Sequence, residues 1–300
     1  MTYQHIHDNL LQNGIGRVVD RLVDAGRGLP IGPLQAHRFG HGNHDHDGDD
    51  AEADILAQFA EQADDLHERV VHEHGLFVAE FLGATGAGKT RLIEGLIERA
   101  PDDETIGVIV GDVAGEDDAT RFRELGVEVS NVNTGKECHL DPGLVEDALA
   151  ELDLDALDTL YIENVGNMVC PADFPLGAQA RVLVVSSTEG DDVVRKHPLL
   201  FQACDATVIN KTDIAEAVGS DLDLMENDVG DIVPEMPVFR TDAEHGEGVE
   251  YLLEFLDERG HAHAHEHEAY VSKTAEHEHA HTHDDHGHAH EHGEQTHTHD

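Results

Sequence analysis

Between Leu76 and Phe239 the chain alternates short apolar runs with stretches whose apolar residues recur every three or four positions. The runs are Leu76–Leu82 (LFVAEFL), Ile106–Val110 (IGVIV), Val127–Val132, Thr159–Ile162, Arg181–Val185 (RVLVV), Ala206–Ile209 and Pro237–Phe239. Near-continuous apolar runs of this length predict strands buried on both faces. Helices are predicted at 91–100, 117–125, 142–151, 212–218, 222–230 and 248–258. Strands alternating with helices give an α/β fold: a mostly parallel sheet covered by helices on both faces, with ligands at the carboxyl ends of the strands. Upstream, Ile55, Leu56, Phe59, Ala63, Leu66 and Val70 predict an amphipathic helix over Ala51–His74 that packs on the sheet domain. Leu10–Val23 suits a short helix, and Gly40–Asp50 (GHGNHDHDGDD) reads as a solvated linker. After Gly260 nothing can form a core; residues 261–300 hold 14 of the 26 histidines among Glu, Asp, Ala and Thr. The expected organisation is a polar, partly disordered segment at 1–50, a sheet domain at 51–260, and a disordered His-rich tail at 261–300.

The first strand leads into Gly83-Ala84-Thr85-Gly86-Ala87-Gly88-Lys89-Thr90, a match to G-x-x-x-x-G-K-[ST] placed between strand and helix. This is the phosphate-binding loop of the P-loop NTPases. Backbone N–H groups of a glycine-rich turn at a helix N-terminus cradle phosphate; Gly83, Gly86 and Gly88 allow the turn. Lys89 reaches the β/γ oxygens, and Thr90 offers its hydroxyl to Mg²⁺.

Roughly 120 residues downstream, Asn210-Lys211-Thr212-Asp213 follows the Ala206–Ile209 strand and matches N-K-x-D, a guanine-reading element. A carboxylate at Asp213 accepts from guanine N1–H and N2–H₂, a donor pair that adenine lacks, so GTP is the expected nucleotide. Thr241-Asp242-Ala243 occupies the place of a second base contact. Asp112 ends the second strand and suits Mg²⁺, with Asp117 and Asp118 as alternatives. Glu163-Asn164-Val165-Gly166 resembles a D-x-x-G switch with Glu for Asp; Glu163 would orient the metal's water and Gly166 N–H would meet the γ-phosphate.

Two further segments carry metal chemistry. Cys138-His139 and Cys170 each follow a strand and can meet on one edge of the sheet. Two thiolates and an imidazole suit Zn²⁺ or Ni²⁺ and leave a coordination position open, which a dimer can complete. Cys204 lies in an apolar helical stretch and reads as core. The imidazoles of the tail are a second metal signal, and neutral imidazole is the ligand form.

Lys plus Arg number 18 against 64 Asp plus Glu, a formal charge of -46. Apolar runs oppose disorder through the middle of the chain, no motif supports nucleic-acid mimicry, and the acids are spread over every segment. A surface adapted to high salt fits, because the Debye length falls to about 3 Å at about 1 M. Of the five lysines, Lys89, Lys136, Lys196 and Lys211 lie in motif segments and only Lys273 does not. Such a charge opposes binding to nucleic acid or anionic lipid. No apolar run of about 18 residues occurs, so no membrane span is expected. MTYQHIHDNL lacks a basic region and an apolar core, and three cysteines make no disulfide framework, so a cytoplasmic location is expected.

Together GATGAGKT, GDVAGEDDATR, NTGKECHLD, IENVGNMVCPADFPLG, STEGDDVVRKHP and INKTD resemble the hydrogenase nickel-incorporation GTPases, the HypB family, from about Gly75 to Gly260. The urease accessory GTPase is similar in its nucleotide motifs but has a Cys-Pro-His triplet that this chain lacks. The resemblance implies a GTP-hydrolysing homodimer that delivers Ni²⁺ to the [NiFe]-hydrogenase large subunit, with a small zinc-containing nickel chaperone as partner. It implies Cys138, His139 and Cys170 as the metal site, Lys89, Thr90, Asp112 and Asp213 as nucleotide residues, and Lys196 reaching the other subunit's nucleotide. A surface ion pair is the plainer role for Lys196. Turnover is expected to be slow, as no arginine finger is obvious. The Cys-rich N-terminal nickel motif of some members is absent; His5, His7, His41, His44 and His46 would be weaker substitutes. A GTPase directed to urease or another metalloenzyme, and a nickel or zinc buffer, are the competing functions.

Overall fold

The computed structural model describes residues 47–113 and 115–261. Seven strands form one sheet, β1 Phe77–Leu82, β2 Ile106–Asp112, β3 Glu128–Asn133, β4 Thr159–Glu163, β5 Ala180–Ser186, β6 Ala206–Asn210 and β7 Val238–Arg240, in the order β3-β2-β4-β1-β5-β6-β7. Every pairing is parallel. The chain builds leftward from β1, returns with β4 beside it, then continues on the other side with β5. The carboxyl ends around this reversal are level, as Phe81 pairs with Glu163 and Leu82 with Leu183.

Side-chain alternation assigns the faces. Val182, Val184 and Val208 join a core with Leu92 and Leu96 of α2 (Lys89–Ile97), Phe122 of α3 (Asp117–Glu124), and Leu252 and Leu256 of the last described helix, α9 (249–261). On the other face are two separate cores. One packs Leu66 of α1 (Asp47–His67) and Val145 of α4 (Pro142–Leu149) against Val78 and Ile109. The other packs Val193 of α5 (Val193–Lys196), Phe201 of α6 (Pro198–Gln202) and Met225 of α8 (Leu222–Ile232) against Leu183 and Ile209; α7 is Ala215–Val218.

Between these two cores β1 places Glu80, flanked on the same face by Val78 and Leu82, and β5 places Arg181 opposite it in register. Glu80 is fully buried, and Arg181 Nε donates to its Oε2 at 2.8 Å. Two charges in a sheet interior need such pairing, since an unpaired buried carboxylate is strongly disfavoured.

The predicted elements stand with shifted ends. Ala51–His74 begins at Asp47, so the last residues of the predicted linker, Asp47–Asp50, are helical; it ends in a π-helical turn, Glu68–Glu73, where Val70 and Val71 are both buried. The 212–218 helix is a 3₁₀ turn, Thr212–Ile214, followed by α7. The Leu10–Val23 helix, the first part of the linker, His5, His7, His41, His44 and His46, and the tail beyond His261 lie outside the described residues.

Candidate functional site

The glycines of the loop after β1 are required by their surroundings. Gly83 has φ +144, and a Cβ there would lie 2.1 Å from the Val184 carbonyl oxygen. Gly88 has φ +101, and a Cβ would meet Asn210 Nδ2 at 2.3 Å. The loop turns into α2 with Lys89 curled over it, its Nζ donating to Gly83 O at 3.2 Å and Ala84 O at 3.4 Å. Burial pushes the Lys89 pKa down, opposed by the charge of nearby Glu163. Thr90 Oγ1 donates to Glu163 Oε1 at 2.9 Å. Glu163 ends β4, is fully buried, and its Oε2 has no partner. Burial raises its pKa to about 7 against the attraction of Lys89. An orphaned buried carboxylate oxygen beside a threonine hydroxyl fits a hard divalent ion such as Mg²⁺.

Asp112 ends β2, but its Oδ1 accepts from Val113 N at 2.6 Å, and no hydrogen bond joins it to Thr90 among the described residues. Asp118 bears electrostatically on both Lys89 and Glu163. Gly166 lies against the loop: Thr85 Oγ1 donates to its carbonyl at 3.2 Å, and a Cβ on it would sit 2.8 Å from Thr85 N.

The N-K-x-D segment braces the same loop. Asn210 Nδ2 donates to Ala87 O at 3.0 Å, while its Oδ1 accepts from Thr241 Oγ1 at 3.0 Å and Ala243 N at 3.1 Å. Lys211 Nζ donates to Gly86 O at 2.6 Å from a left-handed backbone, φ 60, that turns the chain sharply to present Asp213. Asp213 is exposed beside Asp242, which accepts from His245 Nδ1 at 2.5 Å. Lys196 pairs with Asp192 at 2.6 Å within one chain.

Cys138, His139 and Cys170 converge. Their ligand atoms all lie within 4.8 Å of one another, with Cys138 Sγ 2.9 Å from Cys170 Sγ and 3.8 Å from His139 Nδ1. The hydrogen bond to the Cys170 thiol raises the Cys138 pKa, since it favours the protonated form; partial burial lowers that of His139 and favours the neutral imidazole that ligates metals. His139 stacks on Phe174 at 3.8 Å between centroids, and Phe59 of α1 meets Phe174 edge-on at 5.1 Å. Cys204 is core: it is 2% exposed, and burial pushes its thiol up to about 12.

The "CobW/HypB/UreG, nucleotide-binding domain" family model matches residues 77–240. The probable hydrogenase maturation factor HypB of Methanocaldococcus jannaschii is 47% identical over 194 residues, 65% of this chain and 88% of that protein. The chain belongs to the HypB family. Among solved structures, HypB from Archaeoglobus fulgidus superposes with TM-score 0.64 at 42% identity, over 68% of this chain and 99% of that one. HypB from Helicobacter pylori in complex with nickel superposes with TM-score 0.65 at 33% identity, over 68% and 96%.

In this HypB-family chain, the sequence reading missed the scaffold under the Cys138–His139–Cys170 cluster. Arg181 Nη2 donates to Pro171 O at 2.6 Å and Nη1 to Ala203 O at 3.0 Å, which fixes the residue after Cys170. Asn164 Nδ2 donates to Glu80 Oε1 at 2.7 Å, and Asn164 Oδ1 accepts from Leu140 N at 3.1 Å, which fixes the residue after His139. The signal was there: Glu80 and Arg181 are the charges inside LFVAEFL and RVLVV. Among the described residues no helix is long and apolar enough to cross a membrane.

Proposed function

We propose that the chain is a GTP-hydrolysing metallochaperone that inserts Ni²⁺ into the [NiFe]-hydrogenase large subunit. One observation carries the reading: a Cys-His-Cys set has its ligand atoms within 4.8 Å of one another, and one of its three residues, Cys170, is carried by the segment that also lies on the phosphate loop. The relatives' names supply the process; Helicobacter relatives are named hydrogenase/urease maturation factors, so urease is the competing acceptor.

GTP displaces the Lys89 ammonium from the carbonyls of Gly83 and Ala84 onto its β- and γ-phosphates, while Asp213 reads guanine and Asn210 and Lys211 hold the loop. Mg²⁺, held by Thr90 and Glu163 with Asp112 or Asp118 through water, would neutralise phosphate charge. With that cation present Glu163 stays ionised. Gly166 lies on the phosphate loop, where its N–H would meet the γ-phosphate, so gain or loss of that phosphate would move the strap that carries Cys170. Nickel, the cargo, sits on Cys138, His139 and Cys170, with Zn²⁺ as the competing ion. Val169 and Leu199 are each 61% exposed near this edge, apolar surface that a second copy would cover in a homodimer with Lys196 reaching across. The zinc-containing nickel chaperone would load the site.

The full chain is titrated with Ni²⁺ while sulfur-to-nickel charge-transfer absorption is followed, a band to which tail imidazoles do not contribute. The band is expected in the native chain and absent from a Cys138→Ser/Cys170→Ser variant that still hydrolyses GTP. An undiminished band in that variant rejects the site. Transfer assays to apo-hydrogenase and apo-urease decide the acceptor.

A further inference from the structure

Asn167 touches three parts of the site at once. Its backbone N–H donates to Gly83 O at 3.1 Å, the two residues forming an antiparallel bridge at the mouth of the phosphate loop. Its side-chain Nδ2 donates to Cys138 O at 3.1 Å. Its Oδ1 accepts from Val169 N at 2.8 Å, which shapes the turn into Cys170.

The neighbouring contacts are of a different kind. Asn164, Glu80 and Arg181 are buried and tie the residues after His139 and Cys170 to the strands, so they form a fixed floor. Thr85 and Gly166 press the strap on the phosphate loop but reach neither cysteine. The Cys138 segment and the Cys170 segment come from different strands, β3 and β4, with β2 between them in the sheet. A displacement of Gly83 or Gly166 therefore reaches the Cys170 side directly through the chain, and reaches the Cys138 side by way of the Asn167 amide. The Sγ–Sγ gap of 2.9 Å makes the pair sensitive to small relative shifts.

We propose that Asn167 is the positioning residue that couples the phosphate loop to the metal pair, by carrying movement at Gly83 to the Cys138 carbonyl. The proposal rests on the chaperone reading above and adds the residue through which the two sites sense each other. Coupling between sites is reciprocal, so it is measured as the ratio of metal affinities in two nucleotide states, and typical ratios run from about 5 to about 150.

The experiment measures Ni²⁺ affinity of the full chain from the thiolate charge-transfer band, with GDP and with a non-hydrolysable GTP analogue, in the native chain, Asn167→Ala and Asn167→Asp. Asn167→Asp keeps the acceptor for Val169 N–H and loses the donor to Cys138, and both variants keep the backbone bond to Gly83. The native chain should show a GDP/GTP-analogue affinity ratio of at least about 5. Both variants should bring it below about 2, while nucleotide affinity and the intensity of the thiolate band at saturation are kept. A purely structural role would weaken metal binding equally in both nucleotide states and leave the ratio intact; that result overturns the proposal. A native ratio of one, with both ligands bound, overturns the coupling itself. Loss of the thiolate band in the native chain would instead reject the chaperone site.

Discussion

Replacing Glu163 with Gln tests the electrostatics of the nucleotide site without any ligand. Without nucleotide or metal, burial lifts the Glu163 carboxyl from 4.5 to about 7. A group with a raised folded pKa binds more protons in the native than in the unfolded chain between those two values, so its contribution favours folding below about pH 4.5 and is lost as pH rises through about 7. Each pKa unit is worth about 1.4 kcal/mol, which puts the full loss at about 3 kcal/mol, most of it falling between about pH 5 and about pH 8. Glu163 is fully buried, so solvent screening takes little from this figure. Glutamine keeps an oxygen for the Thr90 hydroxyl and cannot ionise. Denaturant unfolding of both chains without nucleotide or Mg²⁺ should therefore give a stability difference, variant minus native, that grows by about 2–3 kcal/mol over that range. Titrations of groups that do not interact with Glu163 are shared by the two chains and cancel. Parallel stability curves would falsify the burial argument. Saturating Mg²⁺ and GDP should flatten the native curve, because a bound cation favours the carboxylate.

Arg181→Leu leaves Glu80 a buried carboxylate with Asn164 as its remaining donor, and should cost about 3–5 kcal/mol in chemical denaturation, whereas a loss under about 1 kcal/mol would mean the pair is wet or dispensable. The chain's formal charge of -46 should make the fold salt-dependent: far-UV circular dichroism is expected to report loss of helix as the Debye length grows from about 3 Å at about 1 M salt to about 30 Å at about 0.01 M, and an unchanged spectrum would reject high-salt adaptation.

The sheet and the nucleotide loop were legible in the sequence because each depends on local pattern. A parallel strand buried on both faces writes itself as an apolar run, and a phosphate loop has to use glycine where Gly83 meets the Val184 carbonyl and Gly88 meets Asn210. Element ends moved by a residue or more because caps and tertiary contacts set them: α2 starts at Lys89, as soon as the glycines allow. The short helices α5 and α6 are split at His197-Pro198, where proline removes a donor and restrains the residue before it, so no helical period had room to develop.

Cys138, His139 and Cys170 were picked out by residue type and do converge, but what holds them was not legible, since it depends on strand order. Glu80 and Arg181 are 101 positions apart and meet because β5 lands beside β1. Cys138 and Cys170 meet because the loops after β3 and β4 project from one edge of the sheet. This arrangement has a consequence for how a nucleotide can act on a metal. The floor of Glu80, Arg181 and Asn164 cannot shift without exposing a buried charge, so it stays put when the phosphate loop responds to its ligand. Under the proposed coupling, movement falls to the half-buried strap from Gly166 to Cys170 and to the segment around Cys138 that rests on it. On that proposal, the buried ionic floor beneath the two segments would turn a small displacement at Gly83 and Gly166 into a change of sulfur–sulfur geometry rather than a diffuse relaxation of the domain.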